Sequence, residues 1–336
     1  MIRVAFGQFK VVTPDDLAYT AQLGGSGILI NGPDFDTPQW RQSLGNFYVQ
    51  RSAPSDEWHL IDLINLKAMV ERYGLRLEAI ENVPLRFYDK ALWGQPGRDE
   101  QIEHYQECIR NMGRAGIPIL GYHWMPNSVW RTTCRQYGRG GAEVSAWDAD
   151  KFVDSPATGS IRLTADEMWA NYKYFMDAVL PVAEEAGVVM ALHPDDPPTE
   201  SLGGVARIMR NMEGFDRALE IGDSDYHQLD FCVGSWSELD PAVMFEALES
   251  YGRRRKIAYV HMRTVKGKLP SFSEAFIDEG DVEVSKVIDV LLATGFDGFI
   301  IDDHVPTIVG DTDWGHRSRA FATGFIKGVL QARSSA

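Results

Sequence analysis

A chain of 336 residues, 44% of them hydrophobic, is long enough to bury one large core and suits a single α/β barrel or two medium-sized domains. Its formal charge of -15 and pI near 5.0 exclude nucleic acid and anionic membrane as partners held by bulk charge, which leaves small molecules. No apolar run approaches the roughly 20 residues that span a bilayer, Met1 leads into a strand-like segment without a secretory pattern, and Cys108, Cys134 and Cys232 are odd in number and far apart. The expectation is a soluble, cytoplasmic protein with no disulfide framework.

Strand-like and helix-like segments alternate along the whole chain. Strands are expected at 3–7, 27–30, 75–80, 117–121, 188–193, 228–232, 257–261 and 299–303. Helices are expected at 14–23, 57–73, 99–115, 165–186, 202–220, 240–251, 284–294 and near 317–331. The helix at 165–186 is the best marked. It opens on the capping box Thr164-Ala165-Asp166-Glu167, carries Met168, Tyr172, Phe175 and Val179 on one face and ends at Gly187, with Pro181 expected to kink it. Cys108 reads as packed helix surface and Cys134 as a loop residue. Such alternation predicts one (β/α)8 TIM barrel over residues 1–336, with the active site where the C-terminal strand ends converge. A doubly wound open sheet is the competing architecture, but its Gly-rich turn would follow an early strand, whereas Gly24-Gly25-Ser26-Gly27 precedes one. Two connections, 31–56 and 122–163, are too long to be simple links and read as lids or subunit contacts; their aromatic residues suggest a homodimer or larger assembly.

Four successive strands end on groups that bind metals. Pro194, Pro197 and Pro198 lack a backbone N–H, so the fifth strand stops at His193 and leaves Asp195 and Asp196 beyond it. The sixth ends on Cys232, the seventh on His261, and the eighth on Asp302, Asp303 and His304. A lone histidine at a strand end is more often a hydrogen-bonded structural residue, and a lone buried cysteine is usually inert. Four in sequence are a different matter, because a barrel turns them toward one point. Two imidazoles, a thiolate and a carboxylate suit a divalent transition metal better than calcium or magnesium; zinc, iron(II) and manganese(II) all fit.

The chain also resembles the D-mannonate dehydratases, metal-dependent barrels of the xylose-isomerase-like superfamily, over nearly its whole length. The likeness runs through Glu57-Trp58-His59-Leu60-Ile61-Asp62-Leu63, Arg98-Asp99-Glu100-Gln101-Ile102-Glu103, Gly121-Tyr122-His123-Trp124-Met125-Pro126 and Trp130-Arg131-Thr132. It continues through Ala191-Leu192-His193-Pro194-Asp195-Asp196-Pro197-Pro198, Phe231-Cys232-Val233-Gly234-Ser235, Val260-His261-Met262-Arg263-Thr264-Val265-Lys266 and Asp303-His304. The resemblance implies His193, Cys232, His261 and Asp303 as ligands of manganese(II) or iron(II), and His304 as an acid/base residue. It also implies dehydration of D-mannonate or a related aldonic acid to a 2-keto-3-deoxy acid.

An elimination of this kind wants a cation on the carboxylate, a base for the C2 proton and an acid for the C3 hydroxyl. His123 or Tyr122 is expected to share the proton work with His304. Arg131 is expected to clamp the carboxylate, with Arg263 as second candidate, and Asp195 and Asp196 to bind sugar hydroxyls or cap a turn. Departures from the family pattern fall near the substrate. Asp303-His304-Val305-Pro306 stands where members have Asp-His-Gly-Arg, Phe272-Ser273-Glu274 replaces Phe-His-Glu, and no tyrosine occurs in Asp311-Thr312-Asp313-Trp314-Gly315-His316-Arg317. Two other readings stay open: a metal-dependent sugar isomerase or epimerase, which would want more carboxylate ligands, and a non-catalytic barrel.

Overall fold

The computed structural model describes residues 1–51, 53–152 and 162–334. Residues 153–161 of the expected 122–163 loop, and Ser52 of the 31–56 loop, lie outside the described residues. Parallel strands form a closed barrel in chain order. Its first stave is interrupted: Arg3–Val4 pairs with the last strand, Phe299–Asp302, while Phe6–Phe9 pairs with Gly27–Asn31. Around the ring follow Arg76–Glu81, Ile119–His123, Val189–His193, His227–Cys232 and Ile257–Met262.

Strands buried on both faces are mostly apolar, and the buried polar exceptions here, Glu78 and Glu81 in one strand and His227 and Asp230 in another, are held by hydrogen bonds or ion pairs. Inside the barrel, Leu29, Tyr259, Phe299 and Ile301 fill the space left by Ala5, Ala79 and Ala191, with the Tyr259 and Phe299 rings stacked at 5.0 Å. Gly121 makes room for Tyr259, since a Cβ there would lie 2.1 Å from the tyrosine oxygen. Outside, the main core lies between strands and helices and draws Met168, Tyr172, Phe175 and Val179 from one face of Ala165–Ala186. That helix has both halves of the expected capping box, contains Pro181 and ends on left-handed Gly187.

One expected helix is only partly present. The stretch 202–220 begins with two short antiparallel strands, Ser201–Leu202 and Val205–Ala206, and only Met212–Ile221 is helical. Gly203 and Gly204 turn the chain between the strands at φ 57 and 81, which a helix could not follow. The long connection after the fourth barrel position is likewise structured. Its strands Thr133–Tyr137 and Glu143–Asp148 join Val265–Lys268 and Ser271–Glu274, from the seventh connection, in one four-stranded antiparallel sheet. Cys134 therefore sits on an exposed edge strand rather than in a loop. Cys108 is fully buried on the packed face of helix Arg98–Ala115 and accepts the Trp58 N–H. Phe35, Trp40 and Trp147 pack inside the chain, whereas Phe47, Tyr48 and Trp130 are partly buried.

Candidate metal centre and active-site cleft

Strand register brings the polar endings together. His123 pairs with His193 across one strand boundary and Cys232 with His261 across the next but one. His193, Cys232 and His261 each bring a donor atom within 4.8 Å of the others. Asp303 follows the last strand, and its Oδ2 lies 3.8 Å from both Cys232 Sγ and His261 Nδ1.

Each imidazole is oriented by its outer nitrogen. His193 Nδ1 lies 2.6 Å from the Pro194 carbonyl and donates to it, leaving Nε2 for the cluster. His261 Nε2 donates to Glu81 Oε2 at 2.9 Å, while its Nδ1 is buried with no hydrogen-bond partner. An orphaned ring nitrogen facing a thiol and a carboxylate fits a metal donor. The Cys232 sulfur accepts Ser235 N–H at 3.5 Å and Ser235 Oγ–H at 3.3 Å, at the first turn of helix Val233–Leu239.

Electrostatics favour the thiolate and carboxylate forms that ligate metals, while they favour the protonated, non-ligating ring of His193. Burial opposes ionisation of Cys232, yet the Arg263 guanidinium and the His193 and His261 rings hold its thiol well below the ordinary value. Burial opposes Asp303 too, and His304, His261 and Arg263 overcome it, so the carboxyl is held far below its usual range. His193 is pushed up to about 10: burial acts against the charged ring, and Asp230 and Cys232 outweigh it. Protons and a divalent cation therefore compete for the same donors.

Beneath the cluster lies a buried ionic network. Arg263, 1% exposed, donates to Glu274, Asp196, Glu238 and the Ser235 hydroxyl, and its Nε is 3.0 Å from Asp303 Oδ2. Arg131 grips Asp196 through both terminal nitrogens and reaches Glu274 Oε1 at 2.8 Å. Glu274 in turn receives His304 Nδ1 at 2.9 Å. Burial and the neighbouring Asp196 charge raise the Glu238 carboxyl well above its usual value. Burial would raise Glu274 as well, but Arg263 and His304 bring it down to about 2.

An open cleft of about 500 Å³ lies above, lined by Glu81, His123, His193, Asp196, Asp303 and His304 among others. The expected residues thus divide. His193, His123, Asp196, Asp303 and His304 reach the cleft, and Cys232 and His261 sit beside it. Tyr122 does not reach it, because strand alternation turns its ring into the core, where its hydroxyl meets Tyr172 at 3.0 Å and His227 at 2.9 Å. Arg131 and Arg263, the expected clamps, do not line it either: both are engaged by buried carboxylates. Asp195 is wholly buried, accepting Met209 N–H at 2.7 Å and facing Arg207 at 3.5 Å. His123 accepts Met125 N–H on Nδ1, and burial beside His193 pushes it down to about 4, so its ring is neutral with the proton on Nε2.

Sequence reasoning missed Glu81, Asp230, Glu238 and Lys10. Asp230 and Glu238 are fully buried, and Lys10 is exposed at the cleft. Glu81 offered a signal, as it stands at the C-terminal end of a barrel strand just as His193 does.

Comparison with known proteins agrees with this architecture. A family model described as D-mannonate dehydratase (UxuA) matches residues 16–164 and 160–336. A mannonate dehydratase of Streptococcus pneumoniae is 31% identical over 311 residues, covering 83% of this chain and 84% of its own. The crystal structure of mannonate dehydratase from Streptococcus suis superposes with a TM-score of 0.86 at 28% identity, covering 100% of this chain and 96% of that one. An L-ribulose 3-epimerase structure, at TM-score 0.63 and 14% identity, covers 100% of this chain and 96% of its own and shares the barrel fold. No described helix is long and apolar enough to cross a membrane. With a family model matched across nearly the whole chain, a pneumococcal relative at 31% identity and the same barrel in the streptococcal structure, the chain belongs to the mannonate dehydratase family.

Proposed function

We propose that this protein is a metal-dependent hydro-lyase that dehydrates a sugar acid, D-mannonate or a related aldonic acid, to a 2-keto-3-deoxy acid. The observation that carries the reading is the triad of donors from His193, Cys232 and His261, within 4.8 Å of one another beside a cleft that also holds His304. Asp303 would complete the set. Two nitrogens, one thiolate and one carboxylate suit manganese(II) or iron(II), and the orphaned His261 Nδ1 accommodates either. When bound, such a metal supplies Lewis acidity to the substrate carboxylate and its neighbouring hydroxyl, which acidifies the C2 hydrogen.

His304 performs the proton transfers in this reading. Its Nδ1 is held by Glu274, so Nε2 is the ring atom left for substrate. Burial acts against its charged form, but Asp303 and Glu274 outweigh that and raise its basicity, which suits attack on a C–H bond. Nε2 takes the C2 proton, the C2–H electrons form the C2=C3 bond, and the C3–O bond breaks. The same proton passes to the departing oxygen, which leaves as water, and the enol rearranges to the 2-keto acid. His123, neutral with its proton on Nε2, donates to a substrate oxygen across the cleft. Asp196, pinned by Arg131 and Arg263, fixes a hydroxyl or the cleft wall.

The test is product analysis. Protein stripped of metal and reloaded with manganese(II) or iron(II) is incubated with six-carbon aldonic acids and the products are identified by mass spectrometry and NMR. Loss of one water to a 2-keto-3-deoxy acid, dependent on metal, is expected. A ketose or an epimer without any dehydrated product would establish the isomerase reading instead.

A further inference from the structure

The metal donors come from the second half of the barrel, and the first half presents a different chemistry to the same cleft. Gln8 is the last residue but one of the first stave, Asn31 ends Gly27–Asn31 and Asn82 follows Arg76–Glu81; all three line the cleft. They form a connected row of amides. Asn31 Nδ2 donates to Gln8 Oε1 at 3.0 Å, Asn82 Nδ2 to Asn31 Oδ1 at 3.3 Å and Gln8 Nε2 to Glu81 Oε1 at 3.1 Å. At the end of the row Asn82 Oδ1 is buried without a partner. Asn82 also holds a left-handed backbone, φ 62, a conformation asparagine tolerates better than most residues.

A buried amide oxygen with nothing to accept is costly unless a ligand completes it. Amides both donate and accept, as hydroxyl groups do, whereas a carboxylate wall only accepts. A flexible polyhydroxylated chain crossing from the metal donors to the opposite wall would meet this row with its distal hydroxyls. We infer that Gln8, Asn31 and Asn82 form a polyol-reading wall that binds substrate hydroxyls remote from the carboxylate and so sets the preferred chain length. This rests on the sugar-acid reading above.

The experiment compares kcat and KM of wild type, Asn82→Gly and Asn31→Ala on six-, five- and four-carbon aldonic acids, with metal content and melting temperature measured alongside. Glycine accepts the left-handed backbone at position 82 and removes the amide together with its one methylene. The wall predicts that either variant raises KM for the six-carbon acid roughly five- to thirtyfold, the worth of one or two hydrogen bonds, with metal content unchanged. The four-carbon acid, too short to reach the row, keeps its wild-type KM. An equal change for every chain length, or no change, overturns the wall while leaving the dehydratase reading intact. A wild-type protein that dehydrates none of the acids overturns the dehydratase reading and the wall with it.

Discussion

Glu81 Oε2 receives the Nε2–H of His261 at 2.9 Å and thereby aims the opposite ring nitrogen, buried and without a partner, at Cys232 and Asp303. A carboxylate behind a ligating imidazole fixes its tautomer and strengthens it as a donor. Glu81→Gln leaves the volume unchanged but weakens that hold. Metal affinity is expected to fall roughly 10- to 100-fold, measured by competition with a chromophoric chelator. An unchanged affinity would mean that Asp230, 3.4 Å from the same nitrogen, orients the ring alone.

Arg131 is bound to Asp196 and Glu274 with its side chain 6% exposed, and its expected role is to hold Asp196 at the cleft rather than to touch substrate. Lysine carries the charge but not the planar fork. Arg131→Lys is expected to leave one buried carboxylate oxygen unpaired and to destabilise the fold by about 1–3 kcal/mol. The melting temperature and kcat/KM should fall together. A kcat/KM reduced roughly tenfold or more at an unchanged melting temperature would restore Arg131 as a direct clamp.

With both arginines engaged, Lys10 is the one lysine or arginine among the described residues lining the cleft, beside the carboxylates of Glu81, Asp196 and Asp303. Because Lys10 is exposed, its attraction for an anionic substrate is modest and screened by salt. Lys10→Met should raise KM about three- to fivefold at low ionic strength, leave kcat near wild type and flatten the salt dependence of kcat/KM. A salt dependence identical to wild type would remove Lys10 from substrate capture.

His227 supplies a pH dependence away from the metal donors. Its Nδ1 donates to the Gly222 carbonyl and its Nε2 meets Tyr122, and burial pushes the ring down from 6.5 to about 4. The folded protein therefore binds this proton less readily than the unfolded chain. The stability involved is fully present above the unfolded value and is lost as pH falls toward the folded one. Between pH 7.5 and pH 5 this group should cost about 2 kcal/mol of unfolding free energy. Urea titrations at the two pH values should show that loss in wild type and a correspondingly smaller one in His227→Gln. Equal losses would place the titration elsewhere.

The barrel was legible because its strands are short apolar runs that stop at prolines, glycines or polar residues, and because helical periods fill the intervals. That His193, Cys232, His261 and Asp303 come together was legible for the same reason: each stands where such a run ends. What one chain read in order could not supply was register. Tyr122 and His123 are adjacent, yet one faces the core and the other the cleft, and which is which depends on pairing with Tyr122 opposite Leu192 and His123 opposite His193. The Arg131 network escaped notice because its carboxylates, Asp196, Glu238 and Glu274, come from three separate connections that only the fold unites. Stretch 202–220 was misread by following its hydrophobic period through Gly203 and Gly204, a turn signal that outranks it.

The central claim is that Cys232, at 0% exposure between two imidazoles and a carboxylate, is a metal ligand and not an inert core thiol. The most direct measurement is elemental analysis of wild-type and Cys232→Ser protein reloaded with manganese(II) or iron(II) and desalted together. The account predicts about one metal ion per wild-type chain and a sharp loss in the variant, with both proteins equally folded by circular dichroism. A fully loaded Cys232→Ser protein with unchanged affinity would contradict it.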